Sequence, residues 1–257
     1  MILANLEFQF DWNFADAERD FQRVIASAPN FAEARHQFVY YLAMMSRFDE
    51  AIAQQRLAEQ LDPVNPSIVV DSSLPYYLAR RYNEAVAEAR KAAEMFPTFF
   101  LPHMALGSAL VETGDAARGV AELEQAWKLQ PMPLVGSHLG YAYVKAGRVD
   151  DARRMLSTLT DESKERYVPA YKIAILHAAL GDKDNAFARL EQAYRDRSWW
   201  LVWLNVDPMV DSLRSDARLT GLRRRVGLVA RNGPSRENDG VERLVGLAPP
   251  QRRAHVE

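Results

Sequence analysis

Apolar positions along most of this chain recur with helical spacing rather than alternating. In EARHQFVYYLAMMSRFDEAIAQQRLAEQL, residues 33–61, a short polar turn divides two such stretches. The pattern predicts pairs of antiparallel helices. Turn chemistry marks the split: Gly114, Gly147 and Gly181 stand where a first helix would end in a left-handed cap, and Asp115, Asp150 and Asp182 follow near the start of the next. The pairs repeat. Small residues recur at Ala17, Ala51, Ala85, Gly119, Ala152 and Ala186, in steps of 34, 34, 34, 33 and 34 residues. Pro29, Pro63, Pro97 and Pro131 keep the same phase and close the second helices, because proline cannot continue a helix and restricts the residue before it. A third series, Val24, Ala58, Ala92, Ala126, Leu159 and Ala193, is also mostly small, so helices can approach closely. One hairpin cannot cover its own apolar face; stacking its neighbours does. The predicted fold is all-α, a right-handed superhelical solenoid of about six hairpins over residues 1–228, ending in a capping helix at about 216–227.

The best copy of the unit is HLGYAYVKAGRVDDA, with Leu139, Gly140, Tyr143 and Ala152 in fixed slots; Leu106, Gly107, Leu110, Leu123, Ala126 and Pro131 form another. These residues resemble the tetratricopeptide repeat, whose first helix carries Leu-Gly-x-x-Tyr and whose second carries Ala-x-x-x-Phe with a closing proline. The flanks, FDWNFADAERDFQRVIASAPNFAEARH and DPMVDSLRSDARLTGLRRRVGL, are similar to repeat arrays that follow winged-helix regulators, adenylate-cyclase domains or serine/threonine kinase domains in bacterial signalling proteins. There the array is the sensory or partner-binding half. The first hairpin is expected to begin almost at residue 1 of this sequence, so the resemblance is not expected to carry an enzymatic or DNA-binding role with it.

Two stretches depart from the period. Pro75 falls inside the first helix of the third hairpin, which predicts a break at which Asp71, Ser72 and Ser73 would serve the freed backbone groups. SWWLVWL, residues 198–204, places three tryptophans together. An open solenoid exposes the apolar face of its last repeat, so Trp199, Trp200 and Trp203 are expected between the last hairpin and the capping helix, with Asp207 and Pro208 as the turn.

Composition narrows the function. Thirty-two basic residues against thirty-four acidic ones leave a formal charge of −2, so no nucleic-acid or anionic-membrane footprint is expected. The chain has no cysteine, no basic leader and no apolar run of membrane-spanning length, and a cytoplasmic protein is expected. The histidines His36, His138 and His177 are too scattered in phase to read as a metal set, and no cofactor motif appears. The nearest approach to a catalytic set is Asp71 with Ser72 or Ser73 and His103, but no strand-turn-helix elbow supplies oxyanion donors. No enzyme is expected.

Phase places the first helix of each hairpin on the concave wall. The predicted groove is lined by His36, Tyr40, Leu74, Tyr77, Met104, Ser108, Val111, Ser137, Tyr141, Val144, Tyr171 and Ile175, an aromatic and aliphatic set with few charges. Repeat proteins of this family that hold chaperone C-termini use a lysine-and-asparagine clamp in these slots, which this sequence lacks, so a chaperone carboxylate is not the expected ligand. An apolar groove suits a protein or peptide segment. The expected function is a non-enzymatic interaction scaffold, or alternatively a stand-alone regulatory remnant of a signalling protein acting in trans. Residues 229–257, rich in Arg, Gly and Pro, read as a disordered tail for which the chain's own groove is a candidate partner.

Overall fold

The computed structural model describes residues 1–229. The segment read as a tail, and its candidate place in the groove, lie outside the described residues apart from Val229. Among the described residues there are helices and turns and no strand. Six antiparallel hairpins follow one another. The first pairs α1 (Ile2–Leu6), prolonged by a π-helical turn Glu7–Asp11, with α2 (Phe14–Ser27). The second is α3 (Ala32–Met44) with α4 (Phe48–Leu61). In the third, α5 (Pro66–Val70) and α6 (Leu74–Leu78) pair with α7 (Tyr82–Met95). Then come α8 (Phe100–Glu112) with α9 (Ala116–Leu129), α10 (Pro133–Lys145) with α11 (Val149–Glu162), and α12 (Ala170–Ala179) with α13 (Lys183–Arg195). Two 3-10 segments, Trp199–Asn205 and Pro208–Leu213, lead into α14 (Ala217–Val226).

The small residues sit where helices cross. Ala17, Ala51, Ala85, Ala152 and Ala186 are fully buried, as are Ala58, Ala92, Ala126 and Ala193. Gly119 replaces alanine because α8 and α9 approach most closely there: a Cβ on Gly119 would lie 2.5 Å from a Val111 methyl and 2.8 Å from the Gly107 carbonyl oxygen. Backbone cannot move aside as a side-chain tip can. Gly119→Ala is expected to cost about 1–3 kcal/mol, the usual range for overpacking a core, read as a lowered midpoint in urea unfolding.

Each first helix of the array ends in a residue with positive φ, and these share one phase: Trp12, Ser46, Arg80, Gly114, Gly147 and Gly181. The conformation lets the residue's own amide and the next one bond back to the helix, as Gly114 N–H does to Val111 O and Asp115 N–H to Leu110 O. Glycine adopts it freely, whereas an L side chain costs roughly 1 kcal/mol. Of the three non-glycine residues, Trp12, Ser46 and Arg80, the two bulky ones, Trp12 and Arg80, each make a long-range contact that offsets this cost.

That contact closes the array on itself. Residues 199–213 do more than cap the last hairpin. Trp200 and Trp203 pack against the cluster of α12, α13 and α14, while Trp203, Val202 and Val206 also join the N-terminal cluster built on Phe8, Phe21, Tyr41 and Leu78. The Arg80 guanidinium donates to the Val206 carbonyl at 2.8 Å and to Asp211 at 2.8 Å. Trp12 stacks on Tyr194 with ring centroids 5.4 Å apart. The two ends meet, and the expected open solenoid is a ring whose inner wall receives its own chain.

Pro75 does break its helix. Chain direction is carried across residues Asp71–Ser73 by a single 3-10 turn, and Pro75 then sits in the first turn of α6, where its missing N–H is harmless. The Asp71 carboxylate does not serve the broken backbone as expected. It turns to α3, where His36 Nε2 lies 3.0 Å away and the Tyr40 hydroxyl donates to it.

Candidate functional site

The inner wall is built from the first helices, and most of its predicted residues are not open. His36, Ser108, Val111, Ser137, Tyr171 and Ile175 are buried, which corrects the reading of them as groove-lining. The physical reasons differ. Val111 and Ile175 belong to the hydrophobic cores between hairpins. Ser137 bonds the carbonyl of Leu134 in its own helix at 2.8 Å. Ser108 bonds Met104 O at 2.7 Å and lies 2.8 Å from His138 Nδ1. His36 is held by Asp71. Tyr171 is covered by the inserted segment. Tyr40, Leu74, Tyr77, Met104, Tyr141 and Val144 are half-buried, and Leu74 and Tyr77 pack against the cluster that includes Val202 and Val206.

Nor is the wall poor in charge. Its centre is a polar group contributed by both the wall and the inserted segment. Asp207, 3% exposed, accepts a hydrogen bond from the Tyr171 hydroxyl at 2.9 Å and another from the Met209 amide at 2.9 Å, which also caps the turn Pro208–Leu213. Lys172, 2% exposed, places Nζ 3.4 Å from the centroid of the Trp200 ring. Tyr141 donates to Glu112 at 2.7 Å, and Lys145 pairs with the same carboxylate. Lys172, Asp207 and Glu112 were missed because helical phase alone places the lysine on a packing face and cannot say which segment returns to meet it.

Burial dominates the electrostatics here. It pushes the Lys172 ammonium down to about 7, an effect that Asp207 only partly offsets, and it pushes the Asp207 carboxyl up. Burial, with Lys172 beside it, pushes His138 down. The Tyr77, Tyr141 and Tyr171 hydroxyls are raised, first by burial and then by Asp207 or Glu112. Between pH 7 and the ordinary lysine value of 10.5 the unfolded chain therefore binds the proton that folded Lys172 has released. Stability rises with pH across that window, by about 2 kcal/mol between pH 7 and pH 9. Urea unfolding at pH 6.5 and pH 9 checks this; in Lys172→Met the rise should vanish, and an undiminished rise would contradict the assignment.

The residues nearest to a catalytic set are not assembled. His103 is held within its own hairpin by Glu122 at 2.7 Å and Pro97 O at 2.9 Å, while Asp71 is engaged by α3. No helix among the described residues is long and apolar enough to cross a membrane.

No family model matches the chain. The Hsp70-Hsp90 organizing protein of Triticum aestivum is 33% identical over 85 residues, and this stretch is 33% of the present chain but only 15% of that protein's length. Solved structures cover far more. Cut9-Hcn1 of the APC/C aligns with a TM-score of 0.61 at 17% identity, covering 87% of this chain and 48% of that one. PilW, a type IV pilus biogenesis factor, aligns at 0.57 and 17%, covering 82% and 94%. A thermophilic TPR protein of Thermus thermophilus aligns at 0.54 and 18%, covering 77% and 100%.

Proposed function

We propose, from the tetratricopeptide-repeat fold that this chain has, that it is a non-enzymatic protein-interaction scaffold whose inner wall is a polypeptide-binding surface filled in cis by residues 199–213. One observation carries the reading: the wall already holds a segment of two short 3-10 stretches as a binding groove holds a peptide. Its main chain is gripped at Val206 O by Arg80, its carboxylate at Asp207 by Tyr171, and its aromatic Trp200 by Lys172. Side chains on the wall read backbone, charge and ring in turn, which is how a groove specifies a peptide ligand. A partner segment takes that place by displacing the resident one. The tethered segment acts at a high effective concentration, about millimolar for a short link, so the closed ring binds weakly and anything that loosens it binds better.

Affinity capture tests this with three full-length forms. Arg80→Gly removes the grip on Val206 and Asp211 while supplying the residue that its positive φ of 63° favours, so it loosens the segment without disturbing the turn. It should capture more of the same partner than the wild type. Tyr40→Ala with Tyr141→Glu should capture less. Equal capture by all three would contradict the inner wall as the binding surface.

A further inference from the structure

A second surface lies where the ends of the ring meet. A cavity of ≈ 840 Å³ is walled there by the N-terminal turn and by the C-terminal ends of α13 and α14, and Val229 forms its edge. Four arginines line it, Arg195, Arg197, Arg224 and Arg225, against a single carboxylate, Asp11. Arg225 is engaged by Glu191. Arg195, Arg197 and Arg224 have no ion-pair partner among the described residues. The negative ends of two helices absorb part of this charge, about half an elementary charge each, which leaves an excess of cation.

The aromatic residues of the seam are arranged to leave donors and no stacking face. Arg197 lies over Trp12 at 4.7 Å, Trp12 stacks on Tyr194, and Arg225 lies over Tyr194 at 4.5 Å. Both faces of each ring are taken, so a planar base finds no ring to stack on. The buried Trp12 Nε1 has no hydrogen-bond partner. Trp12 and Arg197 also meet in the left-handed region, at φ 56° and 51°, where neither side chain is at ease. The cavity thus offers guanidinium forks, spread along two helix ends, and asks for several acceptors in a row.

We propose that this seam binds an acidic peptide segment, its carboxylates paired to Arg195, Arg197 and Arg224. The site is separate from the inner wall and does not depend on displacement of residues 199–213.

The test is titration of the full chain with fluorescein-labelled octaglutamate, with AMP and inorganic phosphate as competitors. Octaglutamate should bind, and binding should weaken about tenfold or more in Arg195→Glu with Arg224→Glu, since opposed charges are turned into like ones. Both residues are exposed and lie outside the cores, so thermal unfolding of this variant should match the wild type. Equal affinity in the double variant, or no binding by the wild type, overturns the proposal. AMP or phosphate binding more tightly than octaglutamate overturns the peptide assignment in favour of a phosphate site. A gain in affinity in Glu237→Gln with Asp239→Asn and Glu242→Gln would make the chain's own acidic stretch the occupant and overturn a separate partner.

Discussion

Replacing Asp207 with alanine should destabilise the protein by about 3–5 kcal/mol, since two buried donors each left without an acceptor cost about 1–3 kcal/mol and a lost cap costs about 1 more. The loss has three sources. Tyr171 and the Met209 amide each lose an acceptor in a place water does not reach, and the turn Pro208–Leu213 loses its cap. Lys172 also loses its nearest counter-charge and is driven further from its ordinary value. Asp207→Asn divides these effects: its single Oδ1 can keep the Met209 cap, while Nδ2 can only donate and meets the Tyr171 hydroxyl with the direction of that bond reversed, so the hydrogen-bond part of the loss is partly recovered while the charge part is not. Urea unfolding of both variants should rank wild type above Asn above Ala. A change below about 1 kcal/mol in Asp207→Ala, the size of an ordinary surface effect, would mean that the inserted segment does not lodge in the wall.

Trp203→Ala should be comparable, about 3–5 kcal/mol for truncating a large aromatic, but with a different signature. Trp203, like Trp12, packs against both the N-terminal and the C-terminal cores, and it does so from the inserted segment. Each hairpin keeps its own alanine-lined contacts, and in a repeat array stability is a sum of local and neighbour terms. The variant should therefore retain its helical circular dichroism at about 25 °C while its melting point falls by about 6–20 °C, at 2–4 °C per kcal/mol for a chain of this size. Amide exchange should accelerate most in α1, α2 and α14, the elements that closure holds together. Uniform acceleration across all six hairpins would contradict a local role for this tryptophan.

The hairpins were legible because they are local: a left-handed cap at Gly114 or Gly147 and an alanine at Ala51 or Ala85 act on their immediate neighbours. Closure was not, because it depends on curvature, the sum of small rotations between successive repeats. A tryptophan run can be seen to need cover, yet nothing at residues 199–203 states that part of that cover stands beside Phe8 and Tyr41. The phase mapping of the groove failed for a related reason. It selects which helix faces inward but not which turn of that helix packs on a neighbour, so Ile175 and Ser137 were placed with Tyr40. One signal was available. In the turn phase where Gly114, Gly147 and Gly181 relax a positive φ, the chain carries Trp12 and Arg80, and a bulky side chain in a glycine position implies a long-range contact that outweighs its strain.

Closure is tested most directly by a distance across the seam. The chain has no cysteine, so spin labels at Asn13→Cys and Thr220→Cys report without background. Gly227 lies against the Phe14 ring, and Thr220 is seven residues, about 10 Å, back along α14. Double electron–electron resonance should give one narrow population below about 3 nm once the label arms are added to that helical rise, lengthening and broadening in Trp203→Ala. A broad or long distribution in the wild-type background would contradict a ring closed by residues 199–213.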